Sequence, residues 1–305
     1  MRTGGMRTGG MRTGGMRTGG MRTGGMRTGA MGEGAMGEGA MGEGAMGEGA
    51  LADGALGRDA CTVGRDASGE GGVPTLLAVA HGTRDPAGPR TVRALLERVR
   101  ALRPWLPVAE GYAEIAAPTL EDAARPLRGP VVVVPLMLAR GYHALIDIPG
   151  RVKRVCPQAV MARPLGPHGM LAAALAERLV AAAAPGRGDA VVLGAAGSSD
   201  PAGVSDVRVA ARLLARRLRR PVPYGFVAAG GPALAEVVAE RRARGAARVT
   251  VASYLLAPGF FHDRMAASGA DRVSAPIGAH DAVARLVLRR YDEARLRLCG
   301  AVPVA

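Results

Sequence analysis

The chain has 305 residues, of which 48% are hydrophobic, and a formal net charge of +14. This length is enough for domains that bury their own cores, and the three widely separated cysteines form neither a disulfide framework nor a cysteine zinc motif. Every uninterrupted apolar run is shorter than the roughly 18 residues that a membrane span needs. We therefore expect a cytoplasmic protein with no membrane partner. A basic chain suggests an anionic partner, which could be nucleic acid, a membrane surface or a polycarboxylate, and charge alone does not choose among them. The alternative is that the excess of Arg reflects only a GC-rich genome.

Residues 1–73 form a region of low complexity. MRTGG occurs five times, followed by MRTGA and then by MGEGA four times. Such Gly-rich repeats bury too little apolar surface to offset the entropy of ordering, so this region is predicted to be a disordered tail. Its eight Arg residues balance eight acidic residues, which leaves the net charge on the remainder. An Arg-bearing arm for nucleic acid is the alternative, but aromatic side chains are missing, and we predict no nucleic-acid partner.

From residue 73 onward, short apolar segments alternate with longer amphipathic ones. This pattern is typical of an α/β protein with parallel sheets, and the continuous apolar character of the strands indicates that helices cover both sheet faces. The predicted strands are 75–80, 108–112, 131–136, 190–193, 222–227 and 249–254. The predicted helices are 89–102, 119–127, 146–155, 170–183, 204–218, 233–244 and 279–298.

A second repeat occurs on the scale of a domain. AVAHGTRDPAG at 78–88 aligns with LGAAGSSDPAG at 193–203, GYAEIAAPTL at 111–120 with GFVAAGGPAL at 225–234, and PLMLARGY at 135–142 with SYLLAPGF at 253–260. Three matches in one order at nearly constant spacing indicate two similar Rossmann-like halves. We predict domains at 74–186 and 187–305, with a ligand cleft between them.

Three ionisable residues of the first half have no counterpart in the second. His81 aligns with Ala196, Glu114 with Ala228, and His143 with Phe261. Each of the three follows a predicted parallel strand, so they are expected to converge at the carboxyl edge of one sheet. Two imidazoles and a carboxylate suit Fe(II), Co(II) or Ni(II) with positions left open for a substrate. The alternative for each histidine is a hydrogen-bonded structural role.

The loop after the first predicted strand contains three polar residues with different expected roles. Asp85 has a counterpart in Asp200, which favours a helix cap or loop anchor in both halves. Thr83 aligns with a serine, whereas Arg84 is particular to the first half and could bind a carboxylate. A solvated surface position is the alternative for Arg84.

The remaining histidines have weaker patterns. His168 and His280 stand where helices are predicted to begin, and His262 lies one position out of register with His143. We expect structural or surface roles for His168 and His280. For His262 we also expect a structural or surface role, and a contact with the ligand is the alternative.

The motifs AHGTRDPAG, YAEIAAPTL and PLMLARGYHALIDIP together resemble the sirohydrochlorin chelatase family, the class II chelatases of the sirohaem and cobalt-corrinoid (cobalamin) pathways. The resemblance extends from about residue 74 to the C-terminus and includes the two-half form. It implies a lyase that inserts Fe(II) or Co(II) into sirohydrochlorin. It further implies that His81 and His143 bind the metal, that Glu114 belongs to the same site, and that the second half lacks such a site.

The resemblance also implies a tetrapyrrole partner in the cleft, with Thr83 and Arg84 as candidate substrate-binding residues. No cofactor is expected beyond the divalent metal substrate, Fe(II), Co(II) or Ni(II). A metal or tetrapyrrole carrier without catalytic activity is the alternative function. A nucleotide-dependent enzyme is disfavoured, because GTRDPAG lacks the spacing and the ending of a phosphate loop. The sequence leaves open the physiological metal and any oligomeric partner.

Overall fold

The computed structural model describes residues 72–299, so the tail predicted for 1–73 lies outside the described residues except for its last two positions. The described residues form two four-stranded sheets in which all paired strands are parallel. By residue number, the strands lie in the order 108–112, 75–80, 131–135 and 160–161 in the first sheet, and 224–226, 190–195, 249–254 and 272–273 in the second. This confirms the predicted α/β class with two similar parallel sheets.

The first sheet and its helices come from the first repeat of the sequence. Its strands are β1 (Thr75–Ala80), β2 (Val108–Tyr112), β3 (Val131–Pro135) and β4 (Val160–Met161). Its helices are α1 (Ala87–Leu102), α2 (Leu120–Ala124), a π-helix (His143–Asp147) that continues into α3 (Ile148–Val155), and α4 (Gly169–Ala183).

The second repeat follows the same order of strands and helices. Its strands are β5 (Ala190–Ala195), β6 (Tyr224–Phe226), β7 (Val249–Tyr254) and β8 (Arg272–Val273). Its helices are α5 (Pro201–Leu218), α6 (Leu234–Ala243), α7 (Phe260–Ala266) and α8 (Asp281–Cys299).

Each sheet has one face toward a shared central core and one toward an outer core. In β1, Leu76 and Ala78 belong to the central core, while Leu77 and Val79 belong to the outer core under α2 and α3. Alternate residues of a strand point to opposite faces, so a strand that is covered on both sides must be apolar throughout. All of these side chains are fully buried, which explains the unbroken apolar runs of the sequence.

The last helix of each repeat packs against the sheet of the other repeat. Helix α4 contacts β7 and α5, and α8 contacts β3, β4 and α1. Polar contacts fix α8 in place, because Arg103 forms two hydrogen bonds of 2.7 and 2.8 Å to the Asp292 carboxylate, and the Tyr291 hydroxyl donates to Pro74 O at 2.7 Å. The central core is therefore built from both repeats at once.

Two further contacts join the repeats close to the carboxyl edge of the first sheet. The Arg140 guanidinium binds the buried Asp206 carboxylate of α5 through Nε and Nη2, at 2.9 and 2.7 Å, and the Arg140 backbone N–H adds a third bond. The Tyr254 hydroxyl donates to Leu138 O at 2.7 Å, and burial raises the pKa of this phenol above its usual range. The loop after β3 is thus held by the second repeat.

The structure adds short elements to those predicted. Strands β4 and β8 are two-residue edge strands, too short to produce an apolar run. Helix α7 has a single buried residue, Met265, so it carries little periodicity. Strand β6 is shorter than the predicted 222–227. Between residues 72 and 299, no helix combines the length and apolar character needed to cross a bilayer.

Candidate metal centre

The loop after β1 places His81 against the loop after β2. His81 directly follows the last strand residue, and its carbonyl accepts the Glu114 N–H at 2.9 Å. Gly82 has φ +100°, and a Cβ at this position would lie 1.8 Å from Glu114 O. Only glycine allows both this backbone conformation and this close approach. The glycine therefore brings His81 and Glu114 together.

Glu114 lies just beyond β2, in a tight turn. Its carbonyl accepts the Ala116 N–H at 2.6 Å, and Ile115 has φ +65°. A β-branched residue in the left-handed region is strained by about 1–3 kcal/mol, a cost that clusters at functional sites. The Glu114 side chain is half exposed, so it remains accessible to a ligand.

His143 begins the π-helix that follows the loop after β3. Its ring packs edge-on against the ring of His81, with centroids 4.6 Å apart and an interplanar angle of 84°. Its Nε2 lies 3.8 Å from Glu114 Oε1. Turns of π-helix are rare in proteins, and many of those that occur are at functional sites. The three side chains singled out from the sequence thus meet at the carboxyl edge of the first sheet.

The arrangement of these three side chains fits a divalent ion. Each offers one ligand atom, and the three atoms lie within 4.8 Å of one another. Metal bonds to imidazole nitrogen and carboxylate oxygen are about 2 Å long, so two ligand atoms of one ion stand at most about 4 Å apart. Small side-chain rotations would close the triangle. Among the described residues, no other group of three His, Cys, Asp or Glu side chains meets this criterion.

Asp147 is a neighbour of the site that the sequence did not indicate. Its Oδ2 lies 3.2 Å from Nδ1 of His143, four residues earlier on the same helical segment. Metal-binding histidines commonly donate their second ring N–H to a carboxylate, which fixes the ring orientation. In the segment HALID, His143 and Asp147 are four residues apart, a spacing that predicts a contact only within a helix. The predicted helix begins at residue 146 and leaves His143 in a loop, so the contact was not predicted.

Two of the polar residues that follow His81 have counterparts with the same contacts in the second repeat. The Thr83 hydroxyl accepts the Asp85 N–H at 3.2 Å, and Asp85 in turn accepts the Ala87 N–H at 2.8 Å. In the second repeat, Ser198 and Asp200 make the equivalent contacts. Both positions therefore have a structural role that the two repeats have in common.

Arg84 differs from Thr83 and Asp85, because its side chain is exposed and the second repeat has a serine at the aligned position. It lies three residues from His81. The structure therefore leaves its guanidinium accessible on the surface.

The other three histidines lie apart from the centre. His168 and His280 each accept a backbone N–H through Nδ1 and so cap α4 and α8, in line with their predicted positions at helix starts. Burial lowers the pKa of His168, with smaller contributions from Arg290 and Arg289. His262 Nε2 bonds to Ser274 O at 3.1 Å.

Exposed aromatic side chains occur at aligned positions in both repeats, at the ends of the loops that follow β3 and β7. Tyr142 and Phe260 align with each other, and both are about 60% exposed. Gly259, just before Phe260, lies so close to Thr83 that a Cβ there would be 2.7 Å from the Thr83 hydroxyl. The Tyr142 ring thus lies 5.6 Å from the His143 ring, and Phe260 follows a glycine that packs against Thr83.

Fold and site together define a two-repeat α/β protein with a candidate metal centre at the strand ends of its first repeat. A model of the CbiX family matches residues 75–182 and again residues 190–294. The chain belongs to the CbiX family.

Similar proteins have names consistent with such a centre. The sirohydrochlorin ferrochelatase of Bacillus subtilis (strain 168) is 31% identical over 196 residues, which are 60% of this chain and 74% of that protein. The sirohydrochlorin cobaltochelatase of Sulfolobus acidocaldarius is 35% identical over 98 residues, 30% of this chain and 77% of that protein. Among solved structures, SirB from Bacillus subtilis with Fe3+ is 27% identical with a TM-score of 0.65, covering 75% of this chain and 98% of that chain.

Proposed function

We propose that this protein inserts a divalent metal ion, Fe(II) or Co(II), into sirohydrochlorin. The observation that carries the proposal is the convergence of His81, Glu114 and His143 at one sheet edge, in a family whose relatives are named as sirohydrochlorin chelatases. Ni(II) suits the same ligands and remains a candidate substrate. No further cofactor is part of the proposal.

In the proposed reaction, His81 and His143 hold the incoming ion and Glu114 completes its protein ligands. The ion replaces two pyrrole N–H protons, so each turnover releases two protons. Glu114 is half exposed and within 3.8 Å of His143, which suits it to accept a proton as the macrocycle nitrogens take over the metal. An imidazole released from the metal is an alternative acceptor.

The macrocycle is proposed to lie beside this centre, between the loops of the two repeats. Tyr142 and Phe260 offer aromatic surface to its face, and Arg84 offers a guanidinium to its carboxylates. Thr83 remains a candidate through its hydroxyl hydrogen, which its contact with Asp85 does not use. The large positive charge of the chain would also attract a polycarboxylate. We propose that the protein acts in the cytoplasm.

The test is anaerobic absorbance spectroscopy of sirohydrochlorin with Fe(II) or Co(II), run to many turnovers. We expect multiple turnover by the wild type and a loss of at least about 100-fold in His81→Ala and His143→Ala, since each removes a metal ligand. His168→Ala, which alters a helix cap remote in sequence, is the matched control and should stay within about twofold. In the same assay, Arg84→Ala should raise KM for sirohydrochlorin more than Arg212→Ala, which alters an exposed arginine of α5.

The second candidate function is a metal or tetrapyrrole carrier, which the same histidine pair would serve. A carrier gives at most one product per chain, whereas an enzyme gives many. Wild-type rates no faster than metal and sirohydrochlorin alone would reject the chelatase and leave the carrier.

A further inference from the structure

The ring of His143 is oriented by a carboxylate on the side away from the other candidate ligands. A carboxylate only accepts hydrogen bonds, so the 3.2 Å contact between His143 Nδ1 and Asp147 Oδ2 places the proton of the neutral ring on Nδ1. The lone pair is then on Nε2, the nitrogen that lies 3.8 Å from Glu114 Oε1. Asp147 thus selects the tautomer that can bind a metal beside Glu114.

Asp147 is itself held by an ion pair. Its Oδ2 lies 3.5 Å from Arg151 Nη1, one helical turn further on. Arg151 also binds both carboxylate oxygens of Glu121 through Nε and Nη2, at 2.7 and 2.6 Å. This contact lowers the pKa of Glu121 to about 2, so the Glu121 carboxylate stays charged. A two-bond arginine–carboxylate contact has fixed geometry, which limits the movement of the guanidinium.

The same guanidinium reaches the second ligand. Arg151 Nη1 donates a short hydrogen bond to the carbonyl of Ala113, the residue directly before Glu114. One side chain of α3 therefore contacts both the carboxylate that orients His143 and the backbone that carries Glu114. This side chain is therefore placed to influence the distance between the two candidate ligands.

The second repeat lacks this network. By the alignment offsets that pair His143 with Phe261 and Leu120 with Leu234, Met265 replaces Asp147 and Ala235 replaces Glu121. Helix α7 ends at Ala266, so the second repeat has no helical position that corresponds to Arg151. The second repeat still forms the same four-stranded parallel sheet. The sheet therefore folds without these three polar residues, and they occur only where the candidate metal ligands occur.

We propose that Asp147, Arg151 and Glu121 are positioning residues that orient His143 and Glu114 for metal binding. This inference rests on the metal site of the proposed function, but it concerns ligand geometry and not turnover. Loss of a group that orients a metal-binding histidine commonly weakens metal affinity 10–100-fold.

The first test needs no metal. In protein with 15N-labelled histidine, long-range proton–nitrogen correlation spectra in weakly alkaline buffer report which ring nitrogen carries the proton. The His143 signals are those absent from His143→Ala. We expect the Nδ1-protonated form in the wild type and a shift toward the Nε2-protonated form in Asp147→Ala. An Nε2-protonated wild type, or an unchanged pattern in Asp147→Ala, would overturn the inference.

The second test is titration with Co(II), followed by its visible absorption. We expect affinity to fall about 10-fold in Asp147→Asn and Arg151→Lys, and up to about 100-fold in Asp147→Ala. Asp263→Asn, at an exposed position of α7, is the matched control and should leave affinity unchanged. Thermal unfolding of each variant separates ligand positioning from stability, because a purely structural role would lower Tm and leave the affinity and spectrum of the folded protein intact.

The isosteric Asp147→Asn variant decides the matter if Asp147→Ala fails to fold. In Asp147→Asn the Co(II) affinity is decisive, because the amide oxygen can still accept the Nδ1 proton but carries no negative charge. An affinity within about twofold of the wild type would overturn the inference. Failure of the proposed function is a separate result, because a wild type that binds Co(II) through His143 but shows no turnover would reject the chelatase and leave the positioning role testable by affinity.

Discussion

The loops after β1 and β5 share a backbone and differ in chemistry. In both, a glycine with positive φ approaches the neighbouring loop, and a hydroxyl accepts the N–H of an aspartate. That aspartate accepts a backbone N–H from the first turn of the following helix. In the first loop the residue before the glycine is His81, and in the second it is Ala196. The glycine, the hydroxyl and the aspartate occur in both repeats, which indicates that the fold requires them. The histidine occurs in one repeat, which indicates a role in the site of that repeat.

The largest effect is expected from adding a methyl group to the glycine of each loop. A Cβ at Gly82 would lie 1.8 Å from Glu114 O, and one at Gly197, with φ +143°, would lie 2.5 Å from Ala229 O. We expect Gly82→Ala and Gly197→Ala each to lower the free energy of unfolding by about 3 kcal/mol. Urea unfolding measures this loss.

Metal binding should separate the two glycine variants. Folded Gly82→Ala should lose Co(II) affinity, because the substitution moves both His81 and Glu114, while folded Gly197→Ala should keep it. Equal loss of affinity in both variants would show that the second loop also contributes to the centre.

A smaller effect is expected at the contact that joins the repeats. Asp206 is buried and accepts from the Arg140 guanidinium and backbone, so Asp206→Ala leaves these donors without their acceptor. We expect a loss of about 2 kcal/mol, below the usual cost of breaking a buried pair because the Arg140 side chain is half exposed. Calorimetry should still show one transition for residues of both repeats. Two separate transitions would indicate that the repeats unfold independently.

The smallest effect concerns the network found only in the first repeat. Arg151 lowers the pKa of Glu121 from 4.5 to about 2, so the contribution of this pair to stability is complete above about pH 4.5 and is lost as the pH falls toward 2. Glu121→Gln should cost about 1 kcal/mol at neutral pH, and this difference from the wild type should shrink across that window. Urea unfolding at several pH values measures it. A difference that does not vary with pH would contradict the ion pair.

Much of the fold could be predicted from the sequence because buried parallel strands are apolar throughout. Strands β1, β2 and β7 begin and end where predicted, since each is bounded by a clear change in composition. The two-residue strands β4 and β8 carry no such signal. The packing of α4 and α8 on the sheet of the other repeat could not be predicted from the sequence either, because an apolar helix face does not specify which sheet it packs against.

The three main residues of the candidate site could also be predicted from the sequence. His81, Glu114 and His143 follow adjacent parallel strands, and the carboxyl ends of such strands meet at one edge. The contact between Arg151 and Glu121 could not be predicted, because these residues are 30 positions apart in the sequence and meet only when α2 and α3 pack together. Charged residues on short helices otherwise suggest a solvated surface.

The exchange of α4 and α8 between the sheets limits how the two repeats can move relative to each other. In a protein with two separate lobes, the connecting segment acts as a hinge, and the lobes close over a ligand as rigid bodies. Here residues 184–189 cannot act in that way, because each sheet is clamped by the terminal helix of the other repeat. We therefore expect the two repeats to keep a nearly constant separation, so that the proposed flat ligand reaches the candidate centre from the exposed loops through movements of single side chains.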